Sequence, residues 1–309
     1  MKMLKVGAVL AFGLLACFGV VASQQSGASP VQRGEGLPYE LTGTEVHDLP
    51  DAARGIPYQV FVGLPASYAE NPQRRYPVVY VTDADYGFAM LRSIGRRMNG
   101  EGPRLQEFIV VGLSYGKGED SMASRRRDYT PTPKGVSDAP AGAEHGQSLQ
   151  YRDYLQDAVF PFVEQRYRTM PKKRIYVGHS YGGLLGAQIL LTRPQMFSGY
   201  LLGSPSFWFD QRYLLKQTPA LLEQHKDLDA DVYMYVGEFE ELRQGDRRYN
   251  QEVDMVRDNA DFAAMLRERG YPGLDLRDEV LAAEDHLSVA PRGFTQGLLH
   301  LLNADDAVR

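Results

Sequence analysis

The sequence predicts an α/β fold in which a mostly parallel, twisted β-sheet is covered by helices on both faces. Strand-like and helix-like segments alternate through the second half of the chain, an order typical of a parallel sheet with helical crossovers. In the first half, residues 76–81 and 108–111 are continuous apolar runs of the kind found in parallel strands buried on both sides. The third observation is a β-branched and aromatic run at 174–177 that passes through a glycine-rich turn into an apolar helix.

The first half of the chain supplies three strands, one helix and a long connection. Residues 58–62 alternate like a half-exposed strand, whereas the two apolar runs predict buried strands. Between those runs, residues 86–98 carry apolar side chains at helical spacing. Residues 114–147 have no clear period and are rich in glycine, proline and charge, so they predict a long loop. Loops of this length inside a compact domain are usually functional.

The second half alternates regularly between helices and strands. Besides the strand at 174–177, its patterns predict helices at 148–167, 182–191, 210–225, 250–269 and 287–302, and strands at 200–202, 231–236 and 274–281. In sheets of this kind, sites form at the carboxyl ends of the strands. The turn that follows residues 174–177 lies at such an end, so we expect a site there.

That turn carries the pattern G-x-S-x-G at residues 178–182, which is the nucleophile elbow of α/β-hydrolases. Its serine, Ser180, is expected at the tip of a strained turn and at a helix N-terminus, whose dipole favours developing negative charge. The pattern recurs around Ser114 after the strand at 108–111, but no helix is predicted after it, because the polar run that follows reads as a loop. Because the motif depends on its strand–turn–helix context, we predict that Ser180 is the nucleophile.

A serine hydroxyl is a weak nucleophile until a neighbouring base takes its proton. In α/β-hydrolases the chain order is serine, acid, histidine, so the base should lie late in the sequence. Of the six histidines, His286 follows the last predicted strand and precedes the final helix, which favours it as the base. His300 lies among leucines within that helix and is expected to pack there, and His179 is expected to support the turn.

The acid that orients the histidine should follow the strand at 231–236, where the chain reads Gly-Glu-Phe-Glu-Glu. Glu240 is the preferred acid and Glu238 the next, and Asp285 beside the histidine is a lesser candidate. A solvated acidic loop without a catalytic role is the structural alternative.

The oxyanion hole needs backbone N–H groups directed at the developing charge. One donor is expected from Tyr181, the residue after the nucleophile. The other is expected from Ala84 or Asp85 in the loop after the strand at 76–81, although this loop lacks the His-Gly pair that many hydrolases carry there.

The N-terminus resembles a secretory signal. Residues 1–23 combine two lysines with an apolar run that ends in small residues, and a mobile arm at 24–36, rich in Ser, Gly, Gln and Pro, leads into a single domain at 37–309. These features predict a periplasmic protein. The one cysteine, Cys17, lies in a lipobox-like sequence, so acylation and a retained membrane anchor are alternatives to ordinary cleavage.

Composition excludes several kinds of site. A mature chain that lacks Cys17 has no thiol nucleophile, disulfide or Cys-ligated metal. Loss of the two signal lysines would change the formal net charge from −5 to about −7, and an acidic chain does not favour nucleic acid as a partner. No later segment has the ~20 apolar residues of a membrane span. We expect neither a metal nor an organic cofactor.

Several motifs resemble those of the α/β-hydrolase esterases that include esterase D, feruloyl esterases and enterochelin (siderophore) esterases. Between residues 49 and 302 these motifs are Tyr80-Val81-Thr82-Asp83, Arg-Arg-Arg-Asp-Tyr-Thr-Pro at 125–131, the elbow at 178–183, Ser204-Pro205-Ser206-Phe207-Trp208, Val-Gly-Glu-Phe-Glu at 236–240, and His286. The second and fourth are similar to the siderophore-esterase branch in particular. The resemblance implies Ser180 as nucleophile, His286 as base and Glu240 as acid, although some members of that branch work with a Ser–His dyad.

The resemblance also implies a substrate. It indicates a serine esterase that opens the trilactone of ferric enterobactin-type siderophores through an acyl-enzyme. Such a ligand is large, anionic and aromatic, so Arg125, Arg126 and Arg127 are candidate substrate contacts and Trp208 a candidate pocket wall. The structural alternatives are a solvated arginine run and a tryptophan that caps the core. The functional alternatives are a feruloyl or acetyl esterase acting on polysaccharide, and a siderophore-binding protein without activity.

Overall fold

A computed structural model describes residues 36, 39–100, 102, 104–135 and 139–304. The predicted signal at 1–23 lies outside these residues, as does the predicted arm except for Gly36. The chain divides into Met1–Thr42 and Gly43–Arg309, and every helix and strand named below belongs to the second unit.

An eight-stranded sheet forms the centre of this unit. Its strands are β1 (Thr44–Asp48), β2 (Gln59–Gly63), β3 (Tyr76–Val81), β4 (Ile109–Leu113), β5 (Thr169–His179), β6 (Gly199–Gly203), β7 (Ala230–Gly237) and β8 (Leu274–Leu281). They are ordered β1-β2-β4-β3-β5-β6-β7-β8. Strands β1 and β2 run antiparallel to their neighbours, and β3 to β8 are all parallel. The mostly parallel α/β fold predicted from the sequence is therefore confirmed.

Helices cover both faces of the sheet. They are α1 (Ala84–Met98), α2 (Ser121–Tyr129), α3 (Ser148–Tyr154), α4 (Phe160–Arg166), α5 (Tyr181–Thr192), α6 (Phe209–Leu222), α7 (Met255–Arg269) and α8 (Val289–Leu301), with a π-helical turn joining α3 to α4. Helices α1 and α8 bury their apolar side chains on one face, and α2 to α7 contribute to the larger core on the other. Within the described residues, no helix is long and apolar enough to cross a bilayer.

The strand order creates a crevice at the carboxyl edge of the sheet. After β3 the chain continues to β4 on one side, whereas β5 is added on the other side of β3. Helices α1 and α5 thus leave neighbouring strands toward opposite faces. Such a switch point is where ligands bind in open α/β sheets.

The segment predicted as a long loop contains a helix, which corrects that expectation. Helix α2 has almost no apolar stripe, so its sequence lacks the periodic signal of a packed helix. Polar contacts hold it instead: the Asp120 side chain caps its first turn by accepting from the Ala123 N–H at 2.9 Å.

Two further differences concern an edge strand and the start of a helix. Strand β1 has no apolar or alternating signal in the sequence, because its TEVHD residues are mostly polar and lie largely exposed at the edge of the sheet. Helix α7 begins five residues later than predicted, at a cap where the Asp254 side chain accepts from the Arg257 N–H.

Candidate active site

Ser180 lies on a sharp turn between β5 and α5, with φ 60° and ψ −120°. Few non-glycine residues adopt such a conformation, so the surroundings must hold it. A Cβ on Gly178 would lie 2.4 Å from the backbone of Gly182, so only glycine lets the turn close. The end of β6 and the loop after it secure the turn, because Ser180 N–H donates to Gly203 O at 2.9 Å and Ser206 N–H donates to Ser180 O at 3.2 Å.

The two motif serines have different surroundings. The Ser180 side chain is half-buried, and its Oγ lies 3.3 Å from the Ser206 Oγ. The Ser114 hydroxyl is taken up by backbone groups, since it accepts from the Gln59 N–H at 2.8 Å and donates to the Tyr115 carbonyl at 2.8 Å. The structure thus gives Ser114 a structural role beside β2.

The structure brings His286 and Glu240 together. His286 lies in the loop between β8 and α8, and its Nδ1 is 2.6 Å from Glu240 Oε2. Glu240 lies in the short 3₁₀ turn after β7 and is 2% exposed. Its other oxygen, Oε1, accepts from the Ser204 hydroxyl at 2.6 Å and from the Gly237 N–H at 2.8 Å. Both carboxylate oxygens are therefore engaged, which fixes the orientation of the acid.

This contact determines the tautomer of the histidine. An ionised carboxylate can only accept, so the proton on His286 must reside on Nδ1 when the ring is neutral. Its Nε2 is then an acceptor, which is the state a general base needs to take a proton from a serine hydroxyl.

His179 connects the elbow to the base. It is the last residue of β5, and its Nε2 lies 2.9 Å from the backbone carbonyl oxygen of His286. Its Nδ1 lies 3.2 Å from the Tyr235 hydroxyl. Burial, together with the nearby charge of His286, lowers the pKa of His179 to about 3, so its ring is neutral. The tautomer of His179 that fits these contacts carries its proton on Nε2 and donates it to the His286 carbonyl. This hydrogen bond links the loop of the candidate base to the residue before Ser180.

The competing carboxylates point to other partners. Glu238 accepts from the Ala283 N–H at 2.9 Å and from the Tyr249 hydroxyl at 3.0 Å. Asp285 accepts from two N–H groups of its own loop, those of Leu287 and Ser288. Neither contact places a carboxylate on the imidazole of the candidate base.

The predicted oxyanion donors lie at two helix N-termini. Ala84 and Asp85 are the first two residues of α1, and Tyr181 is the first residue of α5. These helices start at the carboxyl ends of the adjacent strands β3 and β5. The positive ends of two helix dipoles therefore lie at the same edge of the sheet, where they would stabilise an anion.

Comparison with known proteins identifies the family. The family model Esterase, described as "Putative esterase", matches residues 52–276. The chain belongs to this esterase family. It is a hydrolase of the serine type, with the fold described above.

Individual relatives agree with the family. The ferri-bacillibactin esterase BesA of Bacillus subtilis is 29% identical over 280 residues, a match that covers 86% of this chain and 92% of that protein. The siderophore enterobactin esterase of Emericella nidulans is 26% identical over 273 residues, covering 80% and 90% of the two chains. The crystal structure of an IroE-like serine hydrolase from Shewanella oneidensis superposes with a TM-score of 0.73 at 25% identity, covering 84% and 80%.

The three arginines of the esterase have different surroundings and do not form a solvated run. Arg127 is buried and pairs with Asp128 at 2.9 Å and with Glu119 at 2.7 Å. These contacts favour a structural role for Arg127 over the predicted substrate contact. Arg125 pairs with the buried Asp83 at 2.9 Å. Arg126 is half-buried and forms no ion pair with any described residue.

An aromatic cluster adjoins the elbow of the esterase. The half-buried Trp208 ring and the buried Phe209 ring each lie 5.9 Å from the ring of Tyr181. Arg125 contributes a cation 5.5 Å from the centre of the Tyr181 ring. Trp208 thus packs partly on the core, as the structural alternative expected, and keeps part of its surface beside the residue that follows Ser180.

Sequence reasoning assigned no role to Ser204, Ser206 or Asp83. These residues lie in the Ser-Pro-Ser and Thr-Asp motifs, which carry the family resemblance but give no local indication of a contact. The structure shows that Ser204 supports Glu240 and that Ser206 holds the elbow. These contacts join residues far apart in the chain, so they follow from the fold and not from local pattern.

Proposed function

We propose that this esterase hydrolyses siderophore esters, with the trilactone of ferric enterobactin-type catecholate siderophores as the leading substrate. The observation that carries the proposal is the likeness to bacterial and fungal siderophore esterases over four-fifths or more of the chain. The contact between His286 and Glu240, together with the strained turn at Ser180, supports an active enzyme over a binding protein that retained only the fold.

The chemistry follows from the assigned proton positions. As Ser180 Oγ attacks the ester carbonyl, its proton passes to Nε2 of His286, and Glu240 stabilises the resulting imidazolium. The tetrahedral oxyanion is held by the N-termini of α1 and α5. Collapse of this intermediate breaks the ester C–O bond, and His286 returns the proton to the departing alcohol. Water then repeats the sequence on the acyl-enzyme, which releases a carboxylic acid and restores the Ser180 hydroxyl.

The surroundings of Ser180 suit an anionic aromatic ligand. The half-buried Trp208, which packs against Tyr181, offers a ring face on which a catechol can stack. Arg126 lies on α2, which packs against α5, and its charge is not balanced by a described carboxylate. A guanidinium both attracts an anion and stacks on aromatic groups, so we assign Arg126 as the main cationic contact. Export to the periplasm, inferred from residues 1–23, would bring the enzyme to imported ferric siderophore.

Product analysis tests this proposal. Purified enzyme is incubated with a ferric trilactone catecholate, a feruloylated sugar and p-nitrophenyl acetate, and the products are followed by liquid chromatography and mass spectrometry. We expect stepwise opening of the trilactone, one water added per ester, at a higher kcat/KM than for the feruloylated sugar. Preference for the feruloyl ester would favour the polysaccharide esterase. Binding of ferric siderophore without turnover of any ester would favour the non-catalytic alternative.

A further inference from the structure

The buried carboxylate of Asp83 connects the start of α1 to Arg125 and Tyr115. Asp83, the residue before α1, has a left-handed backbone (φ 54°, ψ 54°) and a fully buried side chain. Arg125 Nε lies 2.9 Å from one of its carboxylate oxygens, and the Tyr115 hydroxyl donates to that same oxygen at 2.8 Å. A non-glycine residue keeps such a conformation only where its contacts impose it. The ion pair with Arg125 is one of the contacts that hold this turn.

The same ion pair lies between the two helix N-termini of the site. The predicted oxyanion donors of α1 follow Asp83 directly in the chain. On the other side, Asp83 Oδ2 lies 3.4 Å from the position that a Cβ on Gly182 would take, in the first turn of α5. The guanidinium of Arg125 also lies over the ring of Tyr181, the residue that supplies the predicted donor of α5. Movement of this pair would therefore displace both donors.

The charge of Asp83 needs a counter-charge at this place. A buried carboxylate beside an oxyanion hole repels the oxyanion that forms there, and low polarity strengthens the repulsion. Burial raises the pKa of Asp83 above its usual range, while the Arg125 cation and the Tyr115 hydrogen bond act in the opposite direction. The Arg125 side chain is only 14% exposed, which leaves little of it for a substrate.

We propose that Arg125 is a positioning residue for ester hydrolysis, because its pairing with Asp83 fixes the turn that begins α1 and neutralises the carboxylate beside the oxyanion hole. This inference rests on the proposed function in that it needs an oxyanion formed at Ser180. It does not depend on which ester is the natural substrate.

Kinetics with a small neutral ester test the proposal. With p-nitrophenyl acetate, Arg125→Gln should lower kcat by about 10²-fold, comparable with loss of one oxyanion donor, and leave KM within about twofold. Binding of phenylboronic acid, which forms a tetrahedral adduct on a reactive serine, should weaken in parallel. Arg125→Lys keeps the positive charge and should retain most of the activity. Arg96→Gln, an exposed arginine of α1 at the opposite edge of the sheet, is the matched control and should match the wild type.

A double variant keeps the test decisive if Arg125→Gln is too unstable to assay. In the Asp83→Asn background the carboxylate is gone, so adding Arg125→Gln should cause little further loss of kcat. A further large loss in that background would overturn the proposal. So would an unchanged kcat for the neutral ester in folded Arg125→Gln, or a loss confined to the anionic siderophore. If the wild type hydrolyses the neutral ester but no siderophore, the proposed siderophore substrate is wrong. The kinetics of the variants on the neutral ester then still decide the role of Arg125.

Discussion

Replacing Glu240 by glutamine should reverse the proton arrangement of the catalytic histidine. Glu240 Oε1 accepts two hydrogen bonds, from the Ser204 hydroxyl and the Gly237 N–H. The amide oxygen of a glutamine would keep that position, because only an acceptor satisfies both donors. Its NH₂ group would then face Nδ1 of His286, which must become an acceptor. The ring proton moves to Nε2, the atom that has to receive the serine proton.

The expected loss of kcat can be worked out from the contact between His286 and Glu240. The 2.6 Å contact places the imidazolium and carboxylate charge centres roughly 4 Å apart, and at an effective dielectric constant of about 20 their attraction is worth about 4 kcal/mol. Losing this stabilisation in the transition state corresponds to about 10³-fold in rate. The wrong tautomer adds to the loss, and the equivalent change in a serine protease triad costs about 10⁴-fold. We therefore expect kcat to fall by about 10³- to 10⁴-fold.

The assay is steady-state hydrolysis of p-nitrophenyl acetate, with the unfolding midpoint measured in parallel. Glu238→Gln is the matched control, since Glu238 lies in the same 3₁₀ turn but contacts Ala283 and Tyr249. It should keep kcat within about threefold of the wild type. If Glu240→Gln loses less than about tenfold, the enzyme works as a Ser–His dyad and Glu240 does not set the reactive tautomer of His286. A large loss in Glu238→Gln would show that the acid is Glu238.

Three further tests concern the nucleophile, the buried histidine and the cationic contact. Ser180→Ala should abolish ester hydrolysis with the fold retained, whereas Ser114→Ala should keep the activity; the reverse result would move the nucleophile. Because the folded state holds His179 neutral down to a pKa of about 3, the free energy of unfolding should fall as pH drops from about 6.5 toward 3. His179→Gln should reduce that slope by about 1.4 kcal/mol per pH unit in denaturant titrations, and an unaltered slope would contradict the assigned pKa. Arg126→Gln should lower kcat/KM for ferric siderophore more than for p-nitrophenyl acetate, with the difference shrinking at high salt, whereas Arg96→Gln should leave that ratio unchanged; an equal effect of both variants would remove Arg126 from the binding surface.

Much of the fold could be predicted from the sequence because its signals are local. The parallel strands are continuous apolar runs, and the elbow depends on a strand, a turn and a helix that are adjacent in the chain. Placing the candidate base after the last strand needed only the chain order of the fold class. The choice between Glu240 and Glu238 was harder, because the two are separated by one residue and contact the same distant loop, Glu240 at His286 and Glu238 at Ala283.

The parts that could not be predicted depend on contacts between distant segments. Helix α2 is stabilised by a cap and buried ion pairs rather than by an apolar stripe, so its sequence reads as a charged loop. The arginines of α2 are adjacent in the sequence but have different partners. Arg125 pairs with Asp83, which is 42 residues away, whereas Arg127 pairs with Asp128 of its own helix. The charged sequence of α2 indicated a functional segment. The different roles of its arginines become visible only once α2 is packed against α5.

Trapping the covalent intermediate shows whether Ser180 is the nucleophile that attacks the siderophore ester. The enzyme is mixed with a ferric trilactone catecholate, quenched in acid within the first turnover, digested, and mapped by mass spectrometry. We predict an acyl adduct of the linearised siderophore on the peptide that contains Ser180, with no adduct in Ser180→Ala. Ring-opened siderophore that accumulates with no adduct on Ser180, or with an adduct on Ser114, would exclude Ser180 as the nucleophile.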